Sequence, residues 1–206
     1  VSFYYTLLMI FAVTSNAQEV QTIFKGQGMS HGGYGVITNK FTTIDGQFAN
    51  MVEVYGGWFI NHKLLIGAGG GATTSYLPVP ESQSFFPGEK VSYEYGQFGF
   101  VTEYVIASNK SVHVAFNVLT GAGFTLQYVR YPWYEYDYYP YHNWDHDENW
   151  FFVVEPGVQV ELNLLKWMRF SPGFSYRFVN NSQSEYLTDD KLSGASFSLS
   201  MKFGKF

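Results

Sequence analysis

The chain has 206 residues, enough for one domain or one small barrel, with 20% aromatic and only 14% charged residues. It contains no cysteine, which excludes a disulfide framework and a thiolate metal site. Its formal net charge of −5, without any basic run, argues against a nucleic-acid partner.

The chain opens VSFYYTLLMIFAVTSNAQ. The apolar run 3–13 is too short for a spanning helix, which needs about 20 residues. It suits the apolar region of a secretory signal, and the small residues Ser15 and Ala17 follow it. Cleavage is expected after Ala17, so that 1–17 is a signal peptide, 18–28 an N-terminal periplasmic segment and 29–206 the folded domain. Gln18 and the lack of cysteine argue against a lipid-modified N-terminus. No later stretch approaches a transmembrane helix, so a membrane form would have to be a closed sheet.

Downstream the chain alternates with period two, the mark of strands whose two faces meet different surroundings. Segment 31–44 is glycine-rich and then β-prone. In 48–60, Phe48, Val52, Val54, Trp58 and Ile60 oppose Ala49, Met51, Glu53, Tyr55 and Phe59. Segment 64–74, LLIGAGGGATT, is small and apolar. In 98–106, Phe98, Phe100, Tyr104 and Ile106 oppose Gly99, Val101, Glu103 and Val105. In 112–128 the apolar set runs from Val112 to Tyr128, opposite His113, Asn117, Gly121, Gly123 and Gln127. In 153–162, Val154, Pro156, Val158, Val160 and Leu162 oppose Glu155, Gly157, Gln159 and Glu161. In 168–178, Phe170, Phe174, Tyr176 and Phe178 oppose Arg169, Ser171, Gly173, Ser175 and Arg177. In 195–203, Phe197, Leu199, Met201 and Phe203 oppose Ser196, Ser198, Ser200 and Lys202.

The connections 61–63, 108–110 and 163–167 are tight, whereas 76–92, 129–149 and 180–193 are long; 43–47 is the short member of the second set. Such alternation describes an up-and-down meander with two unlike ends, as in outer-membrane barrels. An eight-stranded barrel is only just wide enough for side chains to fill. The bulky apolar face would overfill it, while glycine, serine and a few long polar chains fit. The expected fold is therefore all-β: an eight-stranded antiparallel up-and-down transmembrane β-barrel with an N-terminal signal segment. Its apolar face meets acyl chains, and its polar face fills the lumen.

An isolated buried charge is very costly, so the lumen charges should pair. The inward set is Glu53, Glu103, Glu155 and Glu161 against Arg169, Arg177 and Lys202. Strand direction places Arg177 at the depth of Glu155 or Glu53, and places Lys202 and Arg169 with Glu103 and Glu161 near the periplasmic end. Proline avoids interior strands, so a bulge or bend is expected at Pro156 and at Pro172.

The stretch 131–150, YPWYEYDYYPYHNWDHDENW, falls in the largest outer loop. Trp133, Tyr134, Tyr136, Tyr138, Tyr139 and Trp144 are candidates for binding an extracellular sugar or protein, because exposed aromatics give rigid amphipathic contact area. The same residues also suit an interfacial girdle or a cap over the barrel mouth. His142, Asp145, His146, Asp147 and Glu148 could ligate a cation, but nothing suggests a helix that would align the histidines. GAGGGA at 67–72 lacks the Gly-Lys-Ser/Thr of a phosphate loop. His113 with a nearby serine is a remote candidate for a lipid-cleaving site.

Three stretches, GGWFINHKLLIGAGGG (56–71), EPGVQVELNLLKWMRFSPGFSYRFV (155–179) and the ending LSMKFGKF (199–206), resemble a family of small outer-membrane β-barrel proteins of Bacteroidetes-type Gram-negative bacteria. The architecture is similar to that of OmpX and the membrane domain of OmpA. The resemblance implies export, then insertion by the barrel-assembly machinery, which reads a C-terminal strand ending in an aromatic. Phe206 fits that ending but has the opposite parity to Phe203 and Met201. The resemblance brings no catalytic residues. The reading is a closed-lumen outer-membrane barrel in contact with membrane lipid, structural or surface-interacting, with no enzymatic activity, metal or cofactor expected. A barrel enzyme acting on lipid and a soluble lipocalin-like ligand carrier are the alternatives.

Overall fold

The computed structural model describes residues 30–130 and 148–206. The expected signal, the segment that follows it and the aromatic residues 131–147 lie outside the described residues. The strands are β1 (His31–Ile44), β2 (Gln47–Ile60), β3 (Leu64–Thr73), β4 (Leu77–Pro78), β5 (Val91–Ile106), β6 (Val112–Val129), β7 (Asn149–Leu165), β8 (Met168–Asn180) and β9 (Gly194–Lys205). A short helix, α1 (Asp189–Leu192), precedes β9. Every strand but β4 belongs to the barrel wall, in the order β3-β2-β1-β9-β8-β7-β6-β5, and β3 pairs with β5 to close it. The first and last strands meet antiparallel, with Phe41 opposite Phe197 and Val36 opposite Lys202. All seams are antiparallel, so the molecule is a closed eight-stranded barrel.

The connections make two unlike ends. One end carries the turns after β2, β5 and β7 together with the start of β1 and the end of β9; the other carries the longer loops. Two hairpins close through residue pairs with positive φ, Asp45 (49°) with Gly46 (72°) and Asn61 (53°) with His62 (55°). Paired positive φ is the I′ geometry whose twist matches that of the flanking strands, and Asp-Gly is its preferred sequence. The long loop after β3 is pinned by β4, which pairs with β5.

The facing of the wall follows the alternation. Phe48, Val54, Trp58, Phe100, Phe116, Val158, Phe174 and Phe197 are exposed on the outside, whereas Glu53, Glu103, Glu155, Glu161, Arg169, Arg177 and Lys202 are buried. Outer aromatics cluster toward both ends. Phe41 stacks with Phe48 and Phe197 toward the loops, and Trp167 stacks with Phe203 toward the turns. Such girdles mark the two interfaces of a membrane-spanning barrel.

Glycines thin the lumen side of β2, β3, β5 and β6. A Cβ on Gly57 would lie 2.3 Å from the Ile66 carbonyl oxygen, and one on Gly99 would lie 2.3 Å from that of Thr120. Tight curling brings the concave faces of adjacent strands together here, and only a residue without a side chain fits.

The prolines behave otherwise than the sequence suggests. The β7–β8 register is the same on both sides of Pro156 and of Pro172, and the one shift falls between Asn163 and Leu165. Apart from that shift, which leaves Leu164 unpaired, the pairing on this seam lapses at Glu155–Pro156 opposite Tyr176–Arg177 and at Val160–Glu161 opposite Ser171–Pro172. On their other sides both prolines stay in register, Pro156 with Val118 and Pro172 with Leu199. Both missing donors thus fall on one shared seam, and neither requires a bulge.

Candidate functional site: a packed polar lumen

The lumen holds two ionic layers between apolar ends. In the loop-side layer, the Lys40 ammonium donates to Glu53 Oε2 at 2.9 Å and to Glu155 Oε1 at 2.8 Å. It thereby bridges β2 and β7 across the bore from β1. The Gln97 amide donates to the same two carboxylates, at 3.1 Å and 2.7 Å. The Ser175 hydroxyl donates to Glu155 at 2.6 Å. Tyr95 donates to Gln97 Oε1 at 2.7 Å.

In the turn-side layer, the Lys202 ammonium donates to both oxygens of Glu103 at 2.7 Å and also to Glu161 Oε1. Arg169 donates to Glu161 Oε2 at 2.9 Å. His113 Nε2 lies 2.7 Å from the same oxygen, while its Nδ1 lies 3.0 Å from the Lys110 carbonyl oxygen. The hydroxyls of Tyr34 and Tyr55 donate to Glu103. Gln159 lies between the layers and donates to the Tyr55 oxygen at 3.4 Å. Between them lies a cavity of about 10 Å³, lined by Lys40, Glu53, Asn117, Gln159 and Ser175 among others. That is room for about one water molecule.

The structure brings six of the seven expected lumen charges into ion pairs and adds Lys40. Arg177 departs from expectation. It pairs with neither Glu155 nor Glu53; its Nε donates to the Leu192 carbonyl at 2.7 Å and its Nη2 to the Thr43 carbonyl at 3.1 Å. Its guanidinium lies 4.6 Å from the Tyr95 ring centre. Three rigid acceptor faces suit a planar fork, while the compact Lys40 ammonium takes the carboxylates. Each layer then balances: Lys40 and Arg177 against Glu53 and Glu155, and Lys202 and Arg169 against Glu103 and Glu161. The imbalance of four carboxylates against three cations in the sequence was a signal for Lys40, which sits between Thr38 and Thr42 on the inward parity of β1. Tyr34, Tyr55 and Gln97 carried no comparable signal.

The ends are apolar, which the polar-lumen expectation did not include. Ile44, Leu77, Leu187 and Leu192 are fully buried beneath the loops, next to Tyr93, Tyr95, Phe151 and Val153. Arg177 holds α1 over this mouth through Leu192, and Asp189 accepts from the Asn181 and Ser182 amides at 3.1 Å and 2.7 Å. At the turn end, Phe59, Leu65 and Val105 are buried. Phe206 turns inward there, with the Arg169 guanidinium 3.8 Å from its ring centre and the Tyr34 ring 5.0 Å away. Phe203, not Phe206, is the terminal aromatic on the outer wall.

Among the described residues no cluster of metal-ligating side chains forms. His113 faces two acceptors, a carboxylate and a carbonyl, and not a serine hydroxyl.

No family model matches the chain, and no curated protein sequence matches it. Solved structures do. Neisserial surface protein A aligns over 87% of this chain and all of its own at 10% identity, with a TM-score of 0.55. Ail, the attachment invasion locus protein of Yersinia pestis, solved with the heparin analogue sucrose octasulfate, aligns over 84% of this chain and 97% of its own at 8% identity, with a TM-score of 0.50. The chain therefore has the fold of the small transmembrane barrels of outer-membrane proteins.

Proposed function

We propose that this chain is an integral outer-membrane barrel with a closed lumen, acting through its loop-end surface in a structural or surface-interaction role. It neither conducts ions nor performs chemistry. The observation that carries this reading is the filling of the bore: paired charges form two layers, and buried apolar residues seal both ends. The turn end faces the periplasm, as short turns do in such barrels. Membership of the Bacteroidetes-type family of small barrels and insertion by the barrel-assembly machinery belong to the same reading, with Phe203 as the lipid-facing aromatic of the last strand.

The partner differs in charge from a sulfated sugar such as the one bound to Ail. The described loop end carries Asp45, Glu81, Glu89, Glu148, Glu185, Asp189 and Asp190 against Lys90, Arg130 and Lys191, which disfavours a polyanion. The aromatic segment 131–150 supplies the contact residues, Trp133, Tyr134, Tyr136, Tyr138, Tyr139 and Trp144.

The test is electrical and electrophoretic. Purified protein needs detergent, migrates faster when unboiled and gives no porin-sized conductance in planar bilayers. A steady conductance of that size overturns the closed lumen. Lipid hydrolysis abolished by His113→Ala overturns the non-enzymatic role.

A further inference from the structure

The two ends of the barrel differ in charge as well as in length. Every connection at the turn end carries one lysine: Lys63 after β2, Lys110 after β5 and Lys166 after β7, with Lys205 at the end of β9. All four are exposed, and the exposed His31 and His62 lie at the same end. No aspartate or glutamate side chain lies among the described turn residues; the nearest carboxylates, Glu103 and Glu161, are sealed in the lumen and paired. Among the described residues, none of the four lysines makes an ion pair.

Their placement is circumferential. In the closed strand order, successive lysines are separated by about two strands, or roughly 10 Å at the usual strand spacing. They also adjoin aromatics on the outer wall. Trp58, Tyr104, Trp167 and Phe203 are exposed at this end, and His31 stacks on Trp58 with ring centres 5.3 Å apart. Aromatics of this kind sit at the level of lipid headgroups, and a lysine beside them can lay its stem along apolar surface and put its ammonium among the phosphates.

We propose that the turn end is a phospholipid-binding collar that gathers anionic headgroups around the barrel in the leaflet it faces. The ligand is a phosphodiester lipid with net negative charge, one headgroup to each lysine. A compact soluble polyanion would be served by a single basic patch. A ring of separated cations outside an apolar wall matches a ring of lipids instead. The inference rests on the proposed membrane insertion but not on which leaflet the turns face.

The test reconstitutes the full barrel in vesicles of zwitterionic phosphatidylcholine. Electron paramagnetic resonance then measures the fraction of spin-labelled phosphatidylglycerol or phosphatidylcholine held at the protein surface. An ammonium at an anionic surface gives about a five-fold preference when fully engaged. The native barrel is expected to hold phosphatidylglycerol several-fold more strongly at low salt, and the preference falls at high salt. The quadruple variant Lys63→Gln, Lys110→Gln, Lys166→Gln and Lys205→Gln loses it; the pairs Lys63→Gln with Lys110→Gln and Lys166→Gln with Lys205→Gln each lose part. Lys90→Gln with Lys191→Gln, at the loop end, retains it. Equal retention of the two lipids by the native barrel overturns the proposal, as does an undiminished preference in the quadruple variant. Salt-sensitive co-sedimentation with peptidoglycan that the quadruple variant loses, while lipid preference persists, assigns the collar to the cell wall and also overturns it. Fast migration of every unboiled sample shows that the barrel has formed. Its failure in the native protein refutes the membrane-barrel reading itself and not the collar.

Discussion

Replacing Lys40 by methionine probes the lumen most sharply. The side chain keeps its length and loses its charge. Lys40 is buried, with the Glu53 and Glu155 oxygens at 2.9 Å and 2.8 Å. Without it, Glu53 keeps only the Gln97 amide, and Glu155 keeps Gln97 and Ser175. Arg177 cannot step in, because its fork is committed to the Leu192 and Thr43 carbonyls. Removing one partner of a buried ion pair costs about 3–5 kcal/mol, mostly because the opposite charge is left uncompensated. Two carboxylates are orphaned here, so the upper part of that range applies. Reversible urea unfolding in vesicles, followed by tryptophan fluorescence, reads the change. Adding Glu53→Gln and Glu155→Gln to Lys40→Met should recover most of the loss, since the orphaned charges disappear. A loss below about 1 kcal/mol, the scale of an exposed pair, would refute the reasoning. So would a triple variant as unstable as the single one.

Val158→Arg, at an exposed outer position, should cost roughly 2–4 kcal/mol if it lies near the bilayer midplane, whereas Gln159→Arg acts through lumen packing; equal urea midpoints would count against the facing. Arg177→Lys cannot bond both the Leu192 and the Thr43 carbonyls through a planar fork, so hydrogen exchange in 181–193 should quicken while that in β2 stays slow. Gly99→Val, with its Cβ 2.3 Å from the Thr120 carbonyl oxygen, should prevent formation of the fast-migrating unboiled species.

Much of the wall was legible because two solvents impose two residue sets with period two. The signal was strong wherever lumen residues are polar, as in 153–162 against Glu155, Gln159 and Glu161. It failed where the lumen becomes apolar. β5 extends back to Val91 and β7 to Asn149, but there the inward residues include Tyr93, Tyr95, Phe151 and Val153: along 91–96 the alternation inverts, with Ser92, Glu94 and Gly96 on the other face, and along 150–153 both faces are apolar. Glycines at 32, 33 and 35 blurred β1 and hid Lys40. Which charges meet across the bore depends on strand tilt and stagger. The pairing of Lys202 with Glu103 and Glu161 near the turn end follows from strand direction, whereas Arg177 is drawn to backbone acceptors that no residue pattern displays. Phe206 likewise lies one residue past the end of β9, where strand parity no longer governs; near the end of that strand Gly204 donates to the Trp167 carbonyl at 3.0 Å.

The inside-out arrangement can be measured directly, because the chain has no cysteine of its own. Single cysteines introduced in turn along 153–162, spin-labelled and reconstituted in vesicles, report collision with oxygen dissolved in the acyl chains. Labels at Val154, Val158 and Val160 should collide freely, and labels at Glu155, Gln159 and Glu161 should not, giving a period of two along β7. A reversed phase, or no alternation, would contradict the account.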